Sequence, residues 1–287
     1  MDFIITLVNG LSLGGVYAMI ALGYTMVYGI AKLLNFAHGD VIMVSGYAIL
    51  VFLSFDPILA IICATLFCML LGIAMERVAY RPLRGASPLA VLITAIGVSY
   101  LLQSLAQIIF GAADRYVIVA DLGSITLGEV KIDVGTIITL GASLVIMMAL
   151  SLFVKFTRTG RAMVAVSEDR DAARLMGINI NRIITITFAI GSALAALAGL
   201  FSLFRVPTIM STYGAMPGIK AFVAAVIGGI GSIPGAMLGG ILLGVVECIC
   251  NSTPLAPYTI AIEFAILIVI LLVKPTGILG KKRREKV

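Results

Sequence analysis

Charge is what this sequence has least of. Only 12% of its 287 residues are Asp, Glu, Lys or Arg, while 61% are hydrophobic. That balance excludes an ordinary soluble domain, in which roughly a quarter of residues are charged, and belongs to a polytopic membrane protein. Histidine is nearly absent too. His38 is the single one, so neither a histidine metal cluster nor a Ser-His catalytic pair is available. The cysteines Cys63, Cys68, Cys248 and Cys250 lie in apolar runs without metal-ligand spacing, and are read as packing residues. No GxxxxGK[ST] stretch occurs, which excludes a P-loop. Gly228, Gly229, Gly231 and Gly235 imitate a phosphate loop only superficially, because no strand precedes them. The chain is therefore expected to be no enzyme and to hold no cofactor or metal. Its net charge of +6 comes from residues scattered at the ends of apolar runs. That placement argues for membrane orientation and against a nucleic-acid partner. The N-terminus lacks a basic region and a small-residue cleavage site, so its apolar run is expected to be a first span and not a signal peptide.

What is present is a series of runs near the length of about 20 residues that a bilayer requires. The expectation is all-α: a helical bundle of about eight spans in one transmembrane domain over residues 1–287. Spans are read near Ile4–Ile30, Val41–Phe55, Ile58–Ala74, Leu89–Phe110, Val134–Val154, Ile183–Phe204 and Tyr258–Val273. Between the last two lies Ala221–Cys250, interrupted by GGIGSIPGA. Two half-length helices meeting at Ser232–Pro234 are expected there, since Pro234 removes a donor and the glycines loosen the helix. If residues 158–182 face the cytosol and the spans alternate, only Arg115, Lys131, Arg205 and Lys220 of the twenty Lys and Arg fall outside. This asymmetry predicts an external N-terminus and a cytosolic C-terminus, with the basic tail 274–287 against anionic lipid. The external loop 111–133, with YVIV and SITL, has the makings of a small hairpin.

One stretch is polar where its surroundings are apolar. GRAMVAVSEDRDAARLMGININ, residues 160–181, carries Glu168, Asp169 and Asp171 among Arg161, Arg170 and Arg174. Ser167 is expected to cap a short helix, with Glu168 and Asp169 in its first turn, Arg174 in its last and Gly177 as its stop. A short amphipathic helix between two spans is what a membrane domain offers to a separate motor.

Small residues recur at four-residue spacing: Gly10/Gly14, Gly191/Ala195/Gly199, Gly231/Gly235/Gly239 and Gly240/Gly244. Such stripes let helices approach closely in lipid, and the Gly231–Gly244 run is also a candidate path or gate. The acids within apolar runs, Asp40, Glu247 and Glu263, must each pair, protonate or meet water. Asn35-Phe36-Ala37-His38-Gly39-Asp40 follows Tyr24 and Tyr28 at the inner end of the first two spans. It reads either as a helix start capped by Asn35 or Asp40, or as a hinge or inner gate. Candidate path residues are thus Asn35, His38, Gly39, Gly229, Gly231, Gly235 and Gly239.

The runs GGVYAMIALGYTMVYGIAKLLNFAHGDVIMVSGYA, GRAMVAVSEDRDAARLMGIN, GIKAFVAAVIGGIGSIPGAMLGGILLGVVE and KPTGILG together resemble the branched-chain amino acid ABC-transporter permeases, closest to the LivH-type subunit. The resemblance covers nearly the whole chain. It implies an importer in the bacterial plasma membrane, with a second related permease, two cytosolic ATPases carrying ATP and magnesium, and an extracytoplasmic substrate-binding protein. It also implies that residues 158–182 form the ATPase-coupling loop, with Arg161, Ala165, Glu168, Asp169, Ala172 and Gly177 as its coupling residues. Urea and short-chain amide importers use similar permeases, so the substrate stays open. A secondary transporter or channel would instead show intramembrane charge pairs or an inverted repeat, and neither is legible in the sequence.

Overall fold

The computed structural model describes residues 2–120, 122–127 and 130–280. Residues 128–129 and those beyond 280, with most of the expected basic tail, lie outside them. Helices run α1 (Asp2–Ala31), α2 (His38–Phe52), α3 (Pro57–Met75), α4 (Pro88–Phe110), α5 (Val134–Phe156), α6 (Arg158–Glu168), α7 (Arg170–Leu175), α8 (Ile180–Arg205), α9 (Ala215–Gly228), α10 (Ile233–Asn251) and α11 (Thr259–Val273). A π-helical turn, Glu76–Tyr80, extends α3, and a 3-10 turn, Ala256–Tyr258, leads into α11. Among the described residues seven helices are long and apolar enough to cross a membrane, and two more, α2 and α9, are apolar but short. The all-α membrane bundle expected from composition is the fold observed.

The two ends of the bundle are distinguished by what they carry. At one, strands β2 (Ser124–Leu127) and β3 (Val130–Asp133) pair as an antiparallel hairpin, so the SITL part of the expected hairpin forms. The YVIV part goes elsewhere. Strand β1 (Arg115–Tyr116) pairs instead with β4 (Thr208–Ile209), closing the same end. The other end carries α6 and α7. Arg170 of α7 donates to the Ile30 carbonyl (2.9 Å), which fixes where α1 finishes. Arg205, the last residue of α8, donates to Asn9 O (3.0 Å), which ties the end of α8 to the early turns of α1.

Backbone proximity, not greasy contact alone, holds the helices together, because lipid is as apolar as the side chains. A Cβ on Gly10 would lie 2.9 Å from Val245 Cα, and one on Gly14 2.6 Å from Ile241 Cα, so α1 and α10 meet backbone to backbone. The stripe on α8 works likewise: a Cβ on Gly199 would meet the Ile42 carbonyl of α2 at 2.9 Å. The outer helices α4 and α11 turn large side chains outward, among them Ile108, Leu101 and Leu272, where a membrane protein meets hydrocarbon.

Several expectations need correction. The interrupted stretch 221–250 is not two half-helices. Its second helix, α10, has 19 residues and full spanning length, while α9 has 14 and starts earlier, at Ala215. Pro234 sits in the first turn of α10, where its missing donor costs nothing, and Ser232 caps that turn through Gly235 N (3.2 Å). The other short helix is α2, His38–Phe52, read from the sequence as the span Val41–Phe55.

An inverted repeat also emerges. The series α1–α2–α3–α4 and α8–α9–α10–α11 share the order long, short, long, long, with 30, 15, 19 and 23 residues against 26, 14, 19 and, counting the 3-10 turn that leads into α11, 18. They run in opposite directions. Packing of α1 on α10 and α9 is mirrored by α8 on α3 and α2, and α2 on α3 by α9 on α10. The repeat escapes the sequence because apolar side chains interchange freely in lipid; only the short second helix marks it.

Candidate functional site

Both short helices begin inside the bundle. After α1 the chain turns at Lys32, whose φ of 56° is left-handed, and residues 33–37 fold back without helical structure. Consequently α2 starts at the level of Tyr24, about 10 Å in from the end of α1 at 1.5 Å per residue. His38 is buried there, its ring edge-on to Tyr24 with centroids 4.8 Å apart. From the opposite end, α9 starts beside the same point. A Cβ on Gly39 would lie 2.6 Å from Gly214 O and 3.1 Å from Gly218 Cα. Two helix N-termini, each the positive end of a helix dipole, thus abut within the protein. Irregular backbone at such depth persists only where protein covers it or water reaches it.

Side chains from four helices close around this junction. The π turn after α3 brings Tyr80 to Asn35, whose Oδ1 accepts its hydroxyl at 2.6 Å. Gln103 of α4 donates to Asp40 Oδ1 (2.9 Å). Phe222 of α9 packs between Tyr24 and Phe36, at centroid distances of 5.8 and 5.5 Å. His38 Nε2 is buried with no hydrogen-bond partner among the described residues. Neither Asn35 nor Asp40 caps α2: the cap position is Ala37, without a side-chain bond. Of the two readings of this cluster, the capped start fails. What stands is a polar junction sealed by three aromatic rings.

The glycine candidates divide. Gly235 and Gly239 pack inside the α9–α10 pair, where a Cβ on Gly235 would sit 2.9 Å from Gly228 C and one on Gly239 2.9 Å from Gly228 N. Gly229 is covered by the returning chain, whose Ile278 and Leu279 amides donate to Ile227 and Gly228 carbonyls at 2.9 Å each. Gly231 differs: it is exposed, with φ 94° and nothing within 4 Å of an added Cβ. The Gly231 backbone does approach α1, since a Cβ on Gly29 would lie 3.5 Å from Gly231 Cα, but a side chain at 231 would point away from that contact into open space. Gly235→Leu is expected to break the α9–α10 contact and lower the melting temperature strongly. Gly231→Ala should cost only the backbone strain of a left-handed position, on the order of 1–2 kcal/mol. Equal melting temperatures for the two variants would contradict this division.

A charge cluster missed in the sequence lies one to two turns from the hairpin-end termini of α9, α10 and α11. Lys220 Nζ of α9 stands 2.8 Å from Glu247 Oε1 of α10 and 3.2 Å from Glu263 Oε1 of α11. Tyr17 of α1 donates to Glu247 Oε2 at 2.8 Å. Lys220 was assigned to an external loop, but it is buried within a helix. Intramembrane charge pairs do exist here. The signal was a lysine inside the apolar run GIKAFVAAVIGG, with two lone acids downstream.

The polar segment is two helices, not one. Thr157 caps α6 through Gly160 N (3.0 Å), and Asp169 caps α7 through Asp171 N and Ala172 N, both 3.0 Å. Ser167, expected to cap, lies within α6 and donates to Val164 O (2.7 Å). Gly177 does end the segment, at φ 80°. Arg161, Glu168, Asp169, Ala172 and Gly177 are exposed, Ala165 is half-buried, and Ala173 anchors α7 inward. The sequence reading overlooked Leu175 and Met176, which are 89% and 82% exposed at the tip.

Known proteins are similar to this chain along its length. The family model described as branched-chain amino acid transport system / permease component matches residues 6–271. The high-affinity branched-chain amino acid transport system permease protein LivH of Salmonella typhimurium is 42% identical over 306 residues, covering 99% of this chain and 98% of the relative. The BraD permease of Pseudomonas aeruginosa, of the same description, is 42% identical over 297 residues, covering 98% and 97%. The solved structure of PsaBC from Streptococcus pneumoniae in complex with Fab shares the fold, with a TM-score of 0.51 at 15% identity over 93% of this chain and 91% of that one. By these matches the chain belongs to the branched-chain amino acid transport permease family, as a multi-pass membrane protein of that fold.

Proposed function

We propose that this chain is the membrane subunit of an ATP-driven importer in the bacterial plasma membrane, passing branched-chain amino acids along a route controlled at the α2–α9 junction. Separate ATPases dock on α6–α7, a second permease completes the path, and a binding protein delivers substrate at the hairpin end. The observation that carries the reading is the tie between the docking segment and the junction. Arg170 in the first turn of α7 holds the end of α1, immediately before the fold-back that starts α2. A push on α7 therefore reaches Asn35, His38 and Gly39 through a few residues. A motor that binds the two arrangements unequally shifts their populations.

A zwitterionic substrate needs a dipole for its carboxylate and apolar room for its side chain, and a helix N-terminus inside the bundle suits the first. The secondary-transporter reading gains from the inverted repeat and from the Lys220 cluster. One measurement separates the two: co-expression with the neighbouring ATPases, followed by purification and uptake of leucine and of urea into vesicles. A stable complex with ATP-dependent leucine uptake is expected. Leucine uptake driven by an ion gradient without ATPases would overturn the reading, and urea uptake alone would replace the substrate.

Orientation is tested independently. A cysteine in place of Glu168 should react with a membrane-impermeant maleimide only from the cytosolic side, and one in place of Ser124 only from outside. Both residues are exposed, at opposite ends of the bundle. Labelling of both from one side would refute the orientation.

A further inference from the structure

The fold-back that starts α2 is held at its start and at its middle from the end of the bundle that carries α7. Arg170 donates to the Ile30 carbonyl just before it, and the Tyr80 hydroxyl donates to Asn35 Oδ1 within it, at 2.6 Å. Tyr80 closes the π-helical turn Glu76–Tyr80, in which the Arg81 amide reaches back five residues to Glu76 O (2.7 Å). A π turn is rare and marks a place where the helix can re-pair into the ordinary i→i−4 register. Re-pairing turns Tyr80 about the helix axis and takes its hydroxyl off Asn35.

What holds the π register is α8. Glu76 is fully buried, and its carboxylate accepts the Thr185 hydroxyl (2.7 Å) and pairs with Arg84, which also donates to Asn181. Thr185 and Asn181 lie in the first two turns of α8, which residues 176–179 join to α7. At the other end of the turn the Tyr80 ring packs on Phe188 of α8, with centroids 5.3 Å apart. A displacement of α8 therefore loads the turn at both ends. Bonds to a carboxylate are roughly twice as strong as neutral ones, so the tie to α8 outlasts the Tyr80–Asn35 bond. The weaker bond yields first.

We propose that Tyr80 is a positioning residue of the α2–α9 junction. The start of α8, moving with the docking segment, sets the register of the π turn through Glu76. The turn in turn places or withdraws the hydroxyl that holds Asn35. The role of Tyr80 in transport rests on the importer reading; its hold on Asn35 does not.

Hydrogen exchange of the purified full-length chain, read on peptides covering residues 33–41, is the first test. The amides of His38 and Asp40 donate to Asn35 O and Ala37 O, both at 3.1 Å, and report whether the fold-back is held. Tyr80→Phe keeps the ring and loses the hydroxyl, and exchange there should rise about threefold to tenfold. Thr185→Val removes a hydroxyl that bonds to Glu76 and should raise it too, whereas Thr185→Ser should restore it. In the double variant Tyr80→Phe, Thr185→Val the rise should not exceed that of Tyr80→Phe, because both changes cut one chain of contacts. If Tyr80→Phe melts early, Thr185→Val against Thr185→Ser decides. In the complex with its ATPases, leucine imported per ATP should fall about threefold or more in Tyr80→Phe, at an unchanged KM for leucine. Unchanged exchange in the single variants, additive rises in the double variant, or faster exchange with an unchanged leucine-to-ATP ratio overturns the proposal. A wild-type complex that imports no leucine with ATP would sink the importer reading instead, and exchange alone would then decide whether Tyr80 positions Asn35.

Discussion

Replacing Lys220 with Met is expected to be the most destabilising single change in the bundle, costing about 3–5 kcal/mol, because it removes the cation that, among the described residues, pairs with both Glu247 and the buried Glu263. Lys220 lies 2.8 Å from Glu247 and 3.2 Å from Glu263, and Glu263 is 1% exposed. Glu263 faces both the Lys220 ammonium and the Glu247 carboxylate, so its place depends on the cluster staying whole. Without the ammonium, both carboxylates must take up protons or draw water into the helix contacts. The cluster joins α1, α9, α10 and α11, so its loss should loosen the hairpin end rather than one helix. Thermal unfolding of the purified variant measures the cost. The triple variant Lys220→Met, Glu247→Gln, Glu263→Gln should recover most of the loss, since no net charge is then left buried. An unchanged melting temperature in Lys220→Met would show that water already solvates the pair.

How much of this was legible beforehand depended on range. The long helices and the Gly177 stop rest on local pattern, and those were read within a few residues, whereas the polar segment was read as one helix capped by Ser167 and is two, capped by Thr157 and Asp169. The packing stripes at Gly10, Gly14, Gly191 and Gly199 were legible too, because close approach in lipid demands small residues at that spacing. What failed depended on partners distant in sequence. Lys220 meets Glu247 and Glu263 only after α9, α10 and α11 pack, so one sequence shows three lone charges and no cluster. Asn35 looked like a helix cap, yet its partner Tyr80 is 45 positions away and arrives through a π turn that no propensity announces. The depth of α2 was hidden for the same reason. Its apolar run reads as Val41–Phe55, close to the observed His38–Phe52, but nothing in it announces the fold-back after Lys32 that starts the helix inside the bundle. The candidate site was therefore legible in its residues, Asn35, His38 and Gly39, but not in the opposed helix ends that give those residues a role.

Replacing Ala172 with Arg is expected to reduce uptake to background while leaving the permease folded. Ala172 is exposed on α7, its amide held by the Asp169 cap, and its methyl group supports nothing beneath it. Stability should thus change by less than about 0.5 kcal/mol, as for other surface positions free of buried contacts. Function should not be so tolerant. The exposed face of α7 ends in Leu175 and Met176, which are 89% and 82% exposed on a segment that composition sets apart from the membrane runs. Two large apolar side chains on a polar, capped helix stay exposed to water only until a partner covers them. A guanidinium one turn before them adds bulk and an unpaired charge at the centre of that contact. Leu175→Ala gives the graded control: burying one leucine is worth about 1.5–3 kcal/mol, so ATPase affinity should fall by about tenfold or more. Assembly, substrate-stimulated ATP hydrolysis and leucine uptake on the same preparations decide the matter. Full uptake by an intact Ala172→Arg complex would remove α7 from the coupling route and leave α6 as the remaining candidate.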